Sequence, residues 1–151
     1  MCGFVGSVSE SEPINPSTHL QSLKRISHRG PDSANVVSGP GFWMGFNRLS
    51  IIDLDSRSDQ PFSKGGDDIL LFNGEIYNYK EIRSKLASKH SVRFKTKSDT
   101  EVVYEALRIH GKSVISEFRG MFSICFYNKE NTKLILARDP YGIKPLYYSQ
   151  N

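Results

Sequence analysis

The chain has 151 residues, a formal net charge of +4 at pH 7, 38% apolar residues and 24% charged residues. That length suits one ordinary domain, and the composition excludes disordered and fibrous proteins. The chain does not open with a basic stretch before an apolar run, and no run of about eighteen apolar residues, the length of a membrane span, occurs in it. The sequence therefore predicts a cytoplasmic, single-domain protein without a membrane segment.

The cysteines, histidines and basic residues indicate none of the common binding modules. Cys125 lies in the apolar run MFSICFY and is predicted to be a buried strand residue, so a disulfide framework is not expected. The four histidines lie far apart, and no metal site is predicted. Lysine and arginine are scattered along the chain, which favours a solvated basic surface over a nucleic-acid-binding face.

The first half of the chain predicts strands and one helix. Residues 3–8 (GFVGSV) form an apolar strand. The run THLQSLKRISH places Leu20, Leu23 and Ile26 on one face of a helix, with Ser17 as its expected N-cap. RGPDS has the composition of a turn. FWMGFNRLSII and DDILLFNG predict two extended segments that are separated by the polar loop DSRSDQPFSKGG.

The second half predicts two helices and then further strands. Apolar residues at helical spacing predict one helix around Ile82 and another around Val103. Ser98 and Glu101 are spaced as a capping box, which starts the second helix and places Asp99 in its first turn. MFSICFY, KLILARD and LYYSQ predict three more strands. Strands in two groups, with helices between and after them, predict a layered α+β domain.

The opening MCGFVG raises the question of what a cysteine does at the second position. Removal of Met1, which is sterically reasonable before a residue as small as Cys2, would leave a thiol and a free α-amine on one residue. An amine with a pKa of about 7.7 to 8.0 is matched to take the proton of a thiol with a pKa of about 8.5. Such a residue is a nucleophile with its own base. An ordinary core residue of the first strand is the alternative.

A thiol that attacks the side-chain amide of an amino acid such as glutamine also needs an oxyanion hole. Asn73 and Gly74 follow the apolar strand DDILLF, where an amide side chain and an unobstructed N–H can point at one oxygen. Because Asn-Gly is common in turns, a turn that ends the strand is the alternative.

Charged residues suited to the two ends of such a substrate are also present. Arg48 interrupts an apolar segment and could bind a carboxylate in bidentate geometry. Asp99, whose ionised form is stabilised at a helix N-terminus, could hold an ammonium group, and Glu75 is a second candidate. A snorkelling or structurally paired arginine and ordinary surface acids are the alternatives.

Several motifs occur in the order and spacing of one family, namely MCGFVG, HRGPDS, NRLSIIDL, QPF, NGEIYNY, SDTE, RGMFSICFY and ARDPYGIKPLYY. From Met1 to Tyr148, the chain resembles the glutaminase domain of class II glutamine amidotransferases, which are N-terminal nucleophile hydrolases. HRGPD and NRLSIIDL most resemble the asparagine synthetase branch. Several segments in register are far more specific than a single short motif.

The resemblance implies a four-layer αββα sandwich of two antiparallel sheets that is incomplete at its C-terminus. It implies that Cys2 is the nucleophile and that Asn73 and Gly74 form the oxyanion hole. No metal or organic cofactor is expected for this half-reaction. HRGPDS is expected to be a loop near the pocket or a turn that ends the first helix. The implied substrate-binding residues are Arg48, Leu49, Ile51, Glu75 and Asp99, with Leu49 and Ile51 acting through backbone groups.

Residues 1–151 are expected to be a glutaminase domain that lacks its own end and the downstream synthetase domain. The resemblance implies that ammonia from glutamine supplies an ATP-dependent amidation of aspartate, with ATP and Mg²⁺ required only by that synthetase domain. Glutamine and a synthetase domain or subunit are the expected partners, and a homo-oligomer is left open. The alternatives are an amino-sugar or purine-precursor acceptor, a non-catalytic glutamine-binding regulatory module, and a nucleic-acid-binding scaffold.

Overall fold

The structure, a computed structural model, describes residues 2–11, 13–49 and 58–150. Within these ranges the chain forms two three-stranded antiparallel sheets and three α-helices, none of them long and apolar enough to cross a membrane. Two 3₁₀ helices, Ser27–Arg29 and Gly111–Glu117, connect neighbouring elements. The strands and α-helices are, in chain order, β1 (Gly3–Val8), α1 (Pro16–Arg25), β2 (Ser33–Gly39), β3 (Phe42–Arg48), β4 (Asp68–Ile76), α2 (Tyr79–His90), α3 (Asp99–His110), β5 (Gly120–Asn128) and β6 (Lys133–Arg138).

The two sheets, with strand orders β1-β3-β2 and β4-β5-β6, pack face to face. Because side chains alternate between the two faces of a strand, every second residue contributes to the layer between the sheets. Phe42, Met44 and Phe46 of β3 share one buried cluster there with Ile69 and Leu71 of β4. Helix α1 lies on the outer face of the first sheet, and α2 and α3 lie on the outer face of the second. The predicted four-layer αββα sandwich is confirmed.

The strand and helix predictions that contribute most to the core are confirmed. Residues 3–8 are β1, residues 68–74 of the segment DDILLFNG belong to β4, and the helices predicted around Ile82 and Val103 are α2 and α3. Cys125 is a buried residue of β5, where burial raises the pKa of its thiol to about 12. The predicted extended segment FWMGFNRLSII forms β3 as far as Arg48, and its last residues, 50–52, lie outside the described ranges.

The first helix begins earlier than predicted. Asn15 is its N-cap in place of Ser17: the Asn15 side-chain oxygen accepts the N–H of Ser17 at 3.0 Å. Pro16 occupies the first helical position, where the missing N–H has no helical partner to lose. Of the apolar face, Leu23 is buried but Leu20 is 42% exposed.

Two strand predictions require correction. Ser33–Gly39 is a strand that the sequence did not predict, because its polar and glycine residues have weak strand preference and its order depends on pairing with β3 along its whole length. LYYSQ is not a strand. Tyr147 is 90% exposed and Tyr148 is 77% exposed, and in the described part of the chain no strand pairs with this segment.

The start of α3 is held by a buried carboxylate. Ser98 is the N-cap, as predicted. Glu101 does not return to the Ser98 N–H, which corrects the predicted capping box. Its carboxylate accepts the N–H of Thr96 at 2.7 Å and the hydroxyl of Thr96 at 2.8 Å, and it lies 3.0 Å from the Lys64 ammonium. These contacts fix the loop before α3 and therefore the position of Asp99.

The Glu101→Gln substitution is expected to lower the free energy of unfolding by about 1.5 to 3 kcal/mol at pH 7, because it removes the charge of a buried carboxylate that accepts the Thr96 N–H and pairs with Lys64. Burial alone would raise the pKa of Glu101, but N–H donors and the Lys64 ammonium outweigh it and hold the pKa below the ordinary value of 4.5. A lowered pKa stabilises the fold above the unfolded-state value and loses this effect as the pH falls. The difference between wild type and variant should therefore narrow below pH 4.5.

Urea denaturation at pH 7 and at a pH below 4.5 measures the difference in free energy of unfolding between wild type and Glu101→Gln. Glu117→Gln is the matched control, since the Glu117 side chain is 55% exposed and lies 3.5 Å from Lys85. It should change the free energy of unfolding by less than about 1 kcal/mol. An equally small change for Glu101→Gln would contradict the structural role of this carboxylate.

Candidate functional site

Three polar residues continue the apolar rows between the sheets at one end of the sandwich. Arg48 follows Phe46 in the inward-facing row of β3, and Asn73 follows Leu71 in that of β4. Cys2 packs against the same inter-sheet cluster. Since Gly3 pairs with Asn47, the register of β1 and β3 places Cys2 beside Arg48. The two sheets thus bring the three predicted residues to one place.

These residues line a cavity of about 160 Å³. This volume is below the range of about 300 to 1,000 Å³ that is typical of drug-sized ligands, so it suits a molecule as small as one amino acid. Of the predicted site residues, only Ile51 lies outside the described ranges. The lining residues are Cys2, Arg48, Leu49, Ser58, Gln60, Phe72, Asn73, Gly74, Glu75, Ser98, Asp99, Thr100, Met121 and Lys144.

The backbone of Leu49 holds the Cys2 thiol. The Leu49 N–H donates to Sγ at 3.3 Å, and Sγ donates to the Leu49 carbonyl oxygen at 3.6 Å. Cys2 is partly exposed, whereas Cys125 is buried in the core. Of the two cysteines, therefore, Cys2 is the one that a molecule in the cavity can reach.

The N–H of Gly74 points to the cavity because of the alternation along β4. In an antiparallel strand, every second residue directs its backbone groups to the same edge. On the edge of β4 away from β5, the Phe72 N–H donates to the Gln60 side-chain oxygen at 2.5 Å, and the Ile76 N–H donates to Asp99 at 3.1 Å. Gly74 lies between these two residues, and its N–H points to the same edge, where the cavity is located.

At Gly74 the backbones of β4 and β5 leave no room for a side chain. A Cβ atom at this position would lie 2.1 Å from the Met121 carbonyl oxygen and 2.7 Å from the Phe122 Cα. Both atoms belong to the backbone of β5, so a side chain would separate the strands. Glycine is therefore required for the geometry that directs the Gly74 N–H and the neighbouring Asn73 side chain to the cavity.

Asp99 is a buried acid of the cavity lining. It is 4% exposed in the first turn of α3 and accepts the Ile76 N–H. Burial raises the pKa of Asp99 to about 6, and the charge of Glu75 acts in the same direction, while backbone N–H donors oppose the shift. An ammonium group in the cavity would favour the ionised form of this acid.

Arg48 is buried at the end of β3 and forms an ion pair with Asp59. The HRGPDS loop packs against the backbone here: the Asp32 N–H donates to the Arg48 carbonyl oxygen at 3.0 Å, and a Cβ on Gly30 would lie 2.3 Å from the Asn47 carbonyl oxygen. Among the described residues, this loop supports the strand that carries Arg48 and does not line the cavity.

Sequence reasoning missed the roles of Gln60 and Lys144 in lining the cavity. Both lie in motifs that the sequence analysis identified, QPF and ARDPYGIKPLYY, but those motifs carried no assigned function. Lys144 is 5% exposed, and its N–H donates to the Asp139 carboxylate at 3.0 Å. That carboxylate also accepts the N–H of Phe122 at 3.2 Å, which attaches the segment to β5 beside Gly74.

The Gly74→Ala substitution is expected to lower the free energy of unfolding by about 1 to 3 kcal/mol or more, because the new methyl group meets backbone atoms that cannot rotate away. Urea denaturation measures the change. Gly66→Ala is the matched control, since a Cβ there has no atom within 4 Å. Equal stability of the two variants would contradict the close approach of β4 and β5.

Comparison with known proteins identifies the family of this chain. The family model for the glutamine amidotransferase domain matches residues 1–151. Glutamine-hydrolyzing asparagine synthetase 1 of Bacillus subtilis (strain 168) is 43% identical over 99% of this chain and 24% of the relative. Asparagine synthetase 2 of the same strain is 40% identical over 99% of this chain and 20% of the relative. The chain thus spans about a quarter or less of these relatives.

The fold also matches that of a solved structure. Glutamine phosphoribosylpyrophosphate amidotransferase from Bacillus subtilis superimposes with a TM-score of 0.72 over 95% of this chain and 38% of that chain, at 20% identity. At this identity the likeness concerns the fold alone. Because the family model matches the whole sequence, the chain belongs to the glutamine amidotransferase domain family.

Proposed function

We propose that this chain hydrolyses the side-chain amide of glutamine to glutamate and ammonia, with Cys2 as the nucleophile. One observation carries the proposal: several suitable groups line the same small cavity. They are the accessible thiol of Cys2, the Gly74 N–H that points away from β5, and buried charged residues of both signs. Each is a component that amide hydrolysis of a zwitterion requires. A purely structural site has no need for all of them.

The reaction would begin when Met1 is removed and the Cys2 amine becomes free. The amine takes the thiol proton, directly or through one water, as sulfur attacks the side-chain carbonyl carbon. The Asn73 side-chain amide and the Gly74 N–H stabilise the resulting oxyanion. The C–N bond then breaks, the proton returns to the leaving nitrogen, and ammonia departs. Water hydrolyses the remaining thioester to release glutamate and restore the thiol.

The charged residues would bind the two ends of the amino acid. Arg48 has the planar donor geometry that suits the α-carboxylate. Asp99 and Glu75 would hold the α-ammonium, and the Leu49 backbone would line the pocket beside the thiol. These charge-assisted hydrogen bonds contribute about 1.5 to 3 kcal/mol each, so a few of them are enough to select a small zwitterion.

We further propose that the ammonia serves an ATP-dependent amidation of aspartate in the manner of the asparagine synthetases that this chain resembles. The names and the high identity of these relatives support this acceptor. ATP and Mg²⁺ would be used by a synthetase domain or subunit, and the glutamine half-reaction would need neither. Glutamine-dependent asparagine formation, measured with aspartate and ATP in the presence of that partner, tests the acceptor.

The Cys2→Ala substitution is expected to reduce glutamate release from glutamine by at least about 10³-fold, because it removes the nucleophile. The assay is run on purified chain whose intact mass has been measured to verify the loss of Met1. Cys125→Ala is the matched control, since this thiol is buried in the core and does not line the cavity. Full activity of Cys2→Ala would exclude the mechanism.

Binding of glutamine is expected to weaken at acid pH because protonated Asp99 has no charge to offer the α-ammonium. Burial raises the pKa of Asp99 to about 6, so affinity should begin to fall near that pH, by at most about tenfold for each pH unit below it. Calorimetry on the Cys2→Ala variant measures binding without turnover. The additional Asp99→Asn change should weaken binding and remove its pH dependence. Constant affinity from pH 7 to pH 5 would contradict the assigned role of Asp99.

A further inference from the structure

A short segment lies alongside the outer edge of β4 and is held there in a defined register. This strap, residues 58–62, pairs with β4 at two points. Phe62 and Leu70 exchange backbone hydrogen bonds of 2.9 Å in both directions. The Gln60 side-chain amide takes the place of a strand backbone: it donates to the Phe72 carbonyl at 2.9 Å and accepts the Phe72 N–H.

This register places Asp59 next to the cavity, against the lining residue Arg48. Its neighbours on both sides, Ser58 and Gln60, line the cavity wall. The Asp59 carboxylate forms an ion pair with Nη1 of Arg48. The Arg48 side chain is 8% exposed and the Asp59 side chain is 30% exposed, so the arginine is the buried member of the pair and the acid is the accessible one.

The ion pair between Arg48 and Asp59 stabilises the protein when no ligand is in the cavity. A buried guanidinium without a carboxylate would bear a large desolvation penalty, and Asp59 offsets it. The α-carboxylate of an amino acid is chemically the same group as the Asp59 side chain. A ligand that uses Arg48 therefore competes with an anion that the fold already supplies.

We propose that Asp59 occupies the carboxylate-binding position at Arg48 while the cavity is empty, and that glutamine binds by displacing it. The inference rests on the proposed function, in which Arg48 binds the α-carboxylate. Asp59 is thus a residue that determines the affinity for glutamine. The ligand replaces one carboxylate by another at Arg48, and the released Asp59 side chain, which is already partly exposed, turns to the solvent. The site consequently binds glutamine less tightly than a site with an unoccupied arginine.

The test compares binding of L-glutamine to Cys2→Ala and to Cys2→Ala/Asp59→Asn by calorimetry. The neutral amide competes poorly for Arg48, so the Asp59→Asn change is expected to tighten glutamine binding about three- to thirtyfold. Asp59→Glu, which keeps the charge, should restore weaker binding. L-glutamine α-amide, which has no carboxylate, should bind equally to both proteins because it does not compete with Asp59.

Asp67→Asn in the same Cys2→Ala background is the matched control. The Asp67 side chain is 59% exposed, lies 3.8 Å from Lys129 and does not line the cavity, so its loss should leave glutamine affinity unchanged. Thermal melts verify that each variant is folded.

Equal glutamine affinity with and without Asp59 would overturn the inference alone. Weaker binding in Asp59→Asn would overturn it as well, because Asp59 would then orient Arg48 for the ligand. Absence of glutamine binding in every variant, together with absence of glutamate release by the wild-type chain, would overturn the proposed function and the inference with it.

Discussion

The rest of the site depends on one constraint, namely that the N–H groups on the outer edge of β4 must find hydrogen-bond acceptors. Every second N–H of this strand points away from β5 and needs an acceptor in a largely buried region. The strap supplies acceptors for Leu70 and Phe72, and α3 supplies Asp99 for Ile76. The Gly74 N–H lies on the same edge, in the gap between the strap (residues 58–62) and α3. The cavity is located in that gap, so the edge that stabilises the sheet also provides a donor for a developing oxyanion.

The two ends of the proposed substrate site are electrostatically different. Arg48 is already paired with Asp59, whereas the charged form of Asp99 is disfavoured by burial and its pKa is raised to about 6. An incoming ammonium group would relieve the unfavourable burial of an ionised Asp99. An incoming carboxylate would replace an existing ion pair. On this account the net gain in affinity at the carboxylate end is smaller than the contribution of the new hydrogen bonds to Arg48, because the ion pair with Asp59 is lost.

Local patterns in the sequence predicted most of the elements that carry the site, because strand alternation and helix periodicity depend on residues close in the chain. The Ser98 N-cap and the apolar runs of β3 and β4 are of this kind. Where order depends on distant partners, the predictions failed. Ser33–Gly39 becomes a strand only through β3, and the LYYSQ tyrosines, despite their strand preference, have no strand beside them in the described ranges. Glu101 accepts hydrogen bonds from the loop residue Thr96 and pairs with the distant Lys64, in place of the predicted contact with Ser98.

The sequence by itself determined which chemical groups are available: a cysteine at the second position, Asn-Gly after an apolar strand, and an acid in the first turn of a helix. Only the tertiary structure decided that these groups share one cavity, that Asp59 pairs with Arg48, and that burial shifts the pKa of Asp99. The reason is that these properties depend on contacts between sheets and across an edge. The thiol of Cys2, for example, meets the backbone of Leu49, 47 positions away, and no local pattern encodes such a distance.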